Sequence, residues 1–319
     1  MAIRSRKWDF VWRRLLQTIP VVVFATFVVF ALLKLVPGDI ALTLAGDNAT
    51  EQRIAEIRQL YGLDRPFLVQ YGSWLWKAVH GNLSVSLLSG EPVLDAILRS
   101  LPNTLLIVAI ALLLAVLVGI PLGVIAASRP GSLLDRALMT LTSLGVAIPN
   151  FWLAMILVSM LALERNWFPA TGSVPLSDNP LEALRHAVLP GLALAAGGIA
   201  EVARQLRSSL AELLSSQQVR TLHAKGVAPS VILWKHGLKN VSVNLLTVIA
   251  LLANRLLAAT VVVEAVFAIP GMGSLIVHGA VHRDFPVVQG VVFTMVLIVI
   301  VINFTADALY RVVDPRVSS

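Results

Sequence analysis

His278 and His282 stand four residues apart, a spacing that sets two imidazoles on one helix face and, with a third ligand, builds a zinc site. No H-E-x-x-H surrounds them, and the remaining histidines (80, 186, 223 and 236) are scattered, so no ligand set for a metal is expected. Neither a G-x-S-x-G elbow nor a P-loop G-x-x-x-x-G-K-[ST] occurs. Gly271-Met272-Gly273-Ser274 superficially resembles a phosphate loop, but it follows Ala-Ile-Pro and reads as a turn. The absence of cysteine removes disulfides, thiolate metal sites and cysteine nucleophiles at once. The chain therefore does not read as an enzyme.

What stands out instead is charge in apolar surroundings. Arg255, with Asn254, lies near the middle of the run Leu245–Val263, where an arginine costs about 2.5–3.5 kcal/mol on insertion scales. It must face a pathway or a partner charge rather than lipid, or snorkel to a surface. Glu201, in another weakly apolar run, is a candidate partner. A planar guanidinium suits carboxylate or phosphate, so Glu201, Asn254 and Arg255 form a candidate translocation path. Residues 218–240 pose a second question: they hold four Lys/Arg, and no Asp or Glu occurs from Leu213 to Val263.

The elements that position these residues are membrane helices. Of the 319 residues, 57% are hydrophobic and only 13% charged, against about a quarter in soluble domains. A net charge of +7 would suit nucleic acid, but positive charge also collects in the cytoplasmic loops of membrane proteins. Six spans are expected, near Leu15–Val36, Leu105–Ala127, Met139–Leu163, Val188–Leu206, Val243–Val263 and Val287–Val312. The fourth is the weakest, being rich in small residues. The first is too long for a signal-peptide core and is read as a retained helix.

Lys/Arg counts orient the spans. The segment before Leu15 holds five against one acid, and Arg204–Lys239 holds six against Glu212 alone. The alternate loops are acid-balanced, with five Lys/Arg and seven Asp/Glu over residues 37–104. Both termini and the basic stretch are thus expected in the cytoplasm. The fold class is an all-α polytopic membrane protein of six transmembrane helices.

Two loops carry further structure. In residues 48–62, Asn48 or Thr50 can cap a short amphipathic helix that Gly62 stops, with Ile54, Ile57, Leu60 and Tyr61 on one face. Tyr71, Trp74 and Trp76 then suit an interfacial aromatic belt. In the basic stretch, residues 215–226 can form a short helix with Val219 and Leu222 on one side and Arg220 and Lys225 on the other. Gly226 ends it and Pro229 prevents its continuation. Such a helix, lying between two spans, is a lever: pushing it moves both.

Arg220-Thr221-Leu222-His223-Ala224-Lys225-Gly226 resembles the R-T-A-x-A-K-G coupling motif of bacterial ABC importer permeases of the dipeptide/oligopeptide/nickel family. "YGLDRPFLVQY", "GNLSVSLLSGEPVLDAI", "IPNFWLAM", "FPATG", "VVVEAVFAIPGMGSLIVHGAVHRDFPVVQG" and the closing "DPR" resemble the same branch, in the same order. The resemblance implies a type I ABC importer permease fold in the bacterial inner membrane. It divides the chain into residues 1–104 (cytoplasmic segment, first helix and large external loop) and a core permease domain, 105–319, with a coupling loop at about 208–240. Val219, Arg220, Thr221, Leu222, Ala224, Lys225 and Gly226 would contact the ATPase. It further implies a second permease chain, two ATPase subunits and an external solute-binding protein. ATP and Mg would be bound by the ATPase partners, with no cofactor in this chain.

Leu222-His223 depart from the motif's Ala-Arg, Gln217-Gln218 from Asp-Tyr, and Asn244 from a proline where the fifth span begins. Asn254-Arg255 replace small residues. The other reading is an autonomous channel or ion-coupled carrier with Glu201, Arg255 and Asp307 as its polar relay, although no inverted repeat is visible.

Overall fold

A computed structural model of the chain describes residues 2–35, 40–45, 50–60 and 62–313, with residues 2–15, 40, 43–44 and 60 described as backbone alone. Asn48, Tyr61 and the closing 314–316 lie outside the described residues, and with them part of the expected amphipathic face. The helices in order are α1 (Ala2–Leu35), α2 (Ile40–Ala45), α3 (Glu51–Leu60), α4 (Phe67–Val79), α5 (Val93–Ser128), α6 (Leu133–Ala147) and α7 (Asn150–Leu157). They continue with α8 (Pro180–Leu214), α9 (Gln217–Ala224), α10 (Pro229–Val231), α11 (Leu238–Val266), α12 (Met272–Val281) and α13 (Phe285–Val313). No strand forms among the described residues; one isolated bridge joins Val85 and Pro92. The chain divides into two compact units, Met1–Leu101 with Ser274–Ile300 and Pro102–Gly273 with Val301–Ser319.

In the first unit, an aromatic cluster joins α1, α4 and α13. Phe27 meets Tyr71 edge-on at 5.3 Å, and Trp74 meets Phe293 at 6.1 Å. The Tyr71 hydroxyl donates to the carbonyl of Val23 at 2.8 Å, which satisfies its polar tip inside the cluster. Helical spacing explains why the expected aromatic belt is split. Positions 71, 74 and 78 share one buried face, so Tyr71 and Trp74 pack inward and Trp76 alone is exposed. Thr50 caps α3, its hydroxyl accepting from the Arg53 amide at 3.3 Å, and Gly62 follows with φ +65°. Asp284, 3% exposed, accepts from the Ser86 hydroxyl and from the Leu87 amide at 3.1 Å.

The second unit is built around α8. Its apolar window is 61% buried, against 11–39% for the other long apolar helices. This explains its weak hydropathy: a helix enclosed by helices needs small residues for close approach more than lipid-facing bulk. A Cβ on Gly119 or Gly123 of α5 would stand 2.9 or 2.8 Å from the Ile199 or Ala203 carbonyl of α8, so only glycine permits this spacing.

Among the described residues, five helices are long and apolar enough to cross a membrane, or six if the bent pair α6–α7 counts as one span. The third expected span is corrected. Met139–Leu163 is not one helix but two, bent by 94° at Ile148-Pro149. Pro149 excludes helical backbone from the residue before it, and Ile148 accordingly lies at φ −81°, ψ 121°. Beyond α7 the backbone widens into a π turn over Val158–Glu164.

Candidate functional site

The site is built on α8 and α11. Arg255 of α11 donates through Nη2 to Oε1 of Glu201 on α8, so these two charges, 54 residues apart, form one pair. The Arg255 side chain remains 60% exposed, and Glu201 is 24% exposed. Both line a cavity of about 470 Å³, together with Asn150, Arg204 and Gln205. That volume lies within the roughly 300–1,000 Å³ of small-molecule sites. Gly197 of α8 opens the space, since a Cβ there would meet nothing within 4 Å. Two arginines against one glutamate leave the described lining with an excess of positive charge.

Asn254 does not join this lining. Its side chain instead donates to Oδ1 of Asn303 on α13 at 3.0 Å, and its own Oδ1 is buried with no hydrogen-bond partner among the described residues. Of the three residues expected on the path, the structure brings Glu201 and Arg255 together at the cavity and turns Asn254 toward α13.

The basic stretch forms α9, connected to α8 by only Ser215 and Ser216. Ser216 caps it, accepting from the Val219 amide at 3.5 Å. Val219 is buried at 3%, whereas Arg220, His223 and Lys225 are exposed. Gly226 ends the helix at φ +74°, where its amide bonds His223 O at 2.9 Å and the Val227 amide reaches Leu222 O at 3.1 Å. This pair of bonds is a Schellman cap, which needs glycine at its left-handed position. Pro229 then opens α10, and the chain continues through a π turn, Ile232–Gly237, into α11. Asn244 ties the start of this span to α8, its Nδ2 donating to the Ser209 hydroxyl at 2.7 Å.

Residues 119–319 match the family described as the binding-protein-dependent transport system inner membrane component, and residues 7–108 match its N-terminal counterpart. The chain belongs to this family. A putative peptide transport system permease protein of Brucella abortus is 40% identical over 305 residues, covering 96% of this chain and 97% of the relative. The oligopeptide transport system permease protein AppB of Bacillus subtilis is 36% identical over 312 residues, covering 97% and 98%. The dipeptide permease DppB of Alkalihalophilus pseudofirmus is 34% identical over 329 residues, covering 96% and 98%. Among solved structures, the inward-facing MetNI methionine ABC transporter matches with a TM-score of 0.56 and 22% identity, over 68% of this chain and 96% of that one. This likeness carries the fold, that of a type I ABC importer permease.

The permease is thus a transmembrane subunit of an ABC importer, and the reading as an autonomous channel or carrier gives way to it.

Two polar arrangements in this permease escape sequence reasoning. Glu264, 0% exposed near the end of α11, accepts from the Thr104 hydroxyl at 2.6 Å, and the same hydroxyl accepts from the Met272 amide at 2.8 Å. Asp135 of α6 binds Arg207 of α8 at two points. The partners lie 160 and 72 residues apart, and no local periodicity connects them. One signal was available: glycines at 271 and 273 shortly after the acid that follows a purely apolar run.

Proposed function

We propose that the chain imports peptides or related small solutes as half of a pathway shared with a second, similar permease chain. Two ATPase subunits bind ATP and Mg and press on residues 219–226, and an external binding protein delivers the solute. Both termini and the coupling loop at about 208–240 face the cytoplasm in this reading, supported by the Lys/Arg asymmetry between alternate loops. Residues 105–319 form the core permease domain and 1–104 the segment preceding it. The peptide assignment rests on the names of the Brucella, Bacillus and Alkalihalophilus relatives.

One observation carries the mechanism. α9 stands between the two helices that supply the charged pair: α8, which ends two residues before it, bears Glu201, and α11, reached through α10, bears Arg255. A displacement of α9 is therefore applied to both halves of the pair. Separating them frees a guanidinium for the carboxylate of a solute and a carboxylate for its ammonium group.

The test is mass spectrometry of the tagged chain after gentle solubilisation from native membranes. A second six-span protein, ATPase subunits and a binding protein are expected to co-purify. Recovery of the chain alone, under conditions that keep other ABC complexes intact, would overturn the assembly.

A further inference from the structure

α4 is a helix of 13 residues that is apolar on both faces. One face packs inward through Tyr71, Trp74 and Ala78, while Leu68, Trp76 and Val79 on the other are 68%, 70% and 67% exposed. At 1.5 Å per residue it extends about 20 Å, too short for a hydrocarbon core of about 30 Å. A helix of this kind lies along the membrane surface with its apolar side among lipid chains.

Beside α4, in the same unit, is a cavity of about 260 Å³. Phe30 of α1, Trp74 of α4 and Phe285 of α13 give it an apolar wall, and Lys34, Arg65 and Lys77 bring three cations to it. No Asp or Glu is among its described lining residues. Lys34 is the penultimate residue of α1 and Phe285 the first of α13, so the cavity lies where spanning helices begin and end, at headgroup depth. Trp74 is 8% exposed, and its indole N–H has no acceptor among the described residues.

We infer that this cavity binds the phosphate-bearing headgroup of an anionic phospholipid from the surrounding bilayer. Arg65 and Lys77 meet the phosphate, and the aromatic wall takes the adjoining part of the chains. The volume falls below the roughly 300–1,000 Å³ of drug-sized sites, which suits a headgroup better than a peptide. The exposed apolar face of α4 favours a lipid over free phosphate, because it brings acyl chains to the cavity mouth. The site does not depend on the solute proposed above.

Native mass spectrometry of the full chain with its co-purifying partners, stripped of lipid by detergent exchange, provides the test. Aliquots receive dioctanoyl phosphatidylglycerol, dioctanoyl phosphatidylcholine, or the former with millimolar inorganic phosphate. Phosphatidylglycerol adducts are expected to exceed phosphatidylcholine adducts and to survive phosphate. They should fall roughly tenfold or more in Arg65→Gln/Lys77→Gln, since each cation near an anionic headgroup contributes appreciably. Both side chains are exposed, so folding should persist, and Arg65→Lys/Lys77→Arg should keep the preference. Equal binding of the two lipids, an unchanged Gln pair or a lost preference in the charge-preserving pair would overturn the proposal. Displacement by phosphate alone would make this a free-anion site and overturn it equally.

Discussion

Arg207 grips Asp135 at two points, Nε to Oδ1 at 3.0 Å and Nη2 to Oδ2 at 2.6 Å. The Gly131 amide adds a third bond to the same carboxylate at 2.8 Å. The Asp135 side chain is only 3% exposed, whereas Arg207 is 32% exposed. The pair fastens the turn before α6 to the part of α8 that leads into α9. Removing the arginine strands a buried carboxylate, so Arg207→Met should cost about 1.5–3 kcal/mol and lower the melting temperature of the solubilised chain. Asp135→Asn combined with Arg207→Met should cost less than the sum of the single changes.

Gly271 should tolerate no side chain. A Cβ there would stand 2.3 Å from Cδ of Glu264, and Thr104 holds that carboxylate so that it cannot swing clear. Gly271→Ala is expected to destabilise by about 1–3 kcal/mol, as overpacking does elsewhere. Adding Glu264→Ala should recover part of that loss. A thermal-unfolding cycle over the two sites checks it, with strictly additive losses as the contrary result.

Gly226 separates fold from coupling. Its backbone is left-handed at φ +74°, yet a Cβ would meet nothing within 4 Å, so the cost of alanine is conformational and near 1 kcal/mol. The melting temperature of Gly226→Ala should fall slightly while the amount of co-purified ATPase subunit drops several-fold. Gly226→Asn, better suited to this backbone, should lose less.

The segment between α4 and α5 should respond to acid. Hydrogen bonding from the Arg99 guanidinium holds the Glu91 carboxyl below the ordinary carboxylate range. A depressed carboxyl stabilises the folded loop fully above its unfolded pKa and loses that contribution as pH falls through the lower, folded one. Amide exchange over residues 84–93 should therefore quicken relative to neighbouring helices as the medium is acidified below the usual carboxylate range. Arg99→Gln should abolish the dependence.

Apolar length is local and additive, which is why the spans around α1, α5, α11 and α13 were legible from sequence. So were the cap of α3 at Thr50 and the helix stops at Gly62 and Gly226, which act within a few residues of themselves. Pro149 was visible too, but an apolar run masks a bend, and the 94° turn follows from backbone geometry that hydropathy does not register. α8 looked weak because its small residues serve close packing against α5. At the site, the cost of burying Arg255 pointed to a partner, and Glu201 was nameable as one. Asn254 faces α13 and not the cavity that Arg255 lines, because adjacent residues on a helix point about 100° apart. The long-range pairs Thr104–Glu264 and Asp135–Arg207 follow from tertiary packing alone.

ATP-driven import through this chain can be measured as uptake of labelled peptides into proteoliposomes. These carry the co-purified complex, with ATP and binding protein each supplied or withheld. Uptake is expected only when both are present, and Arg255→Gln should reduce it more for peptides with a free carboxylate than for amidated ones. Uptake by the chain alone without ATP would contradict ATP-driven import.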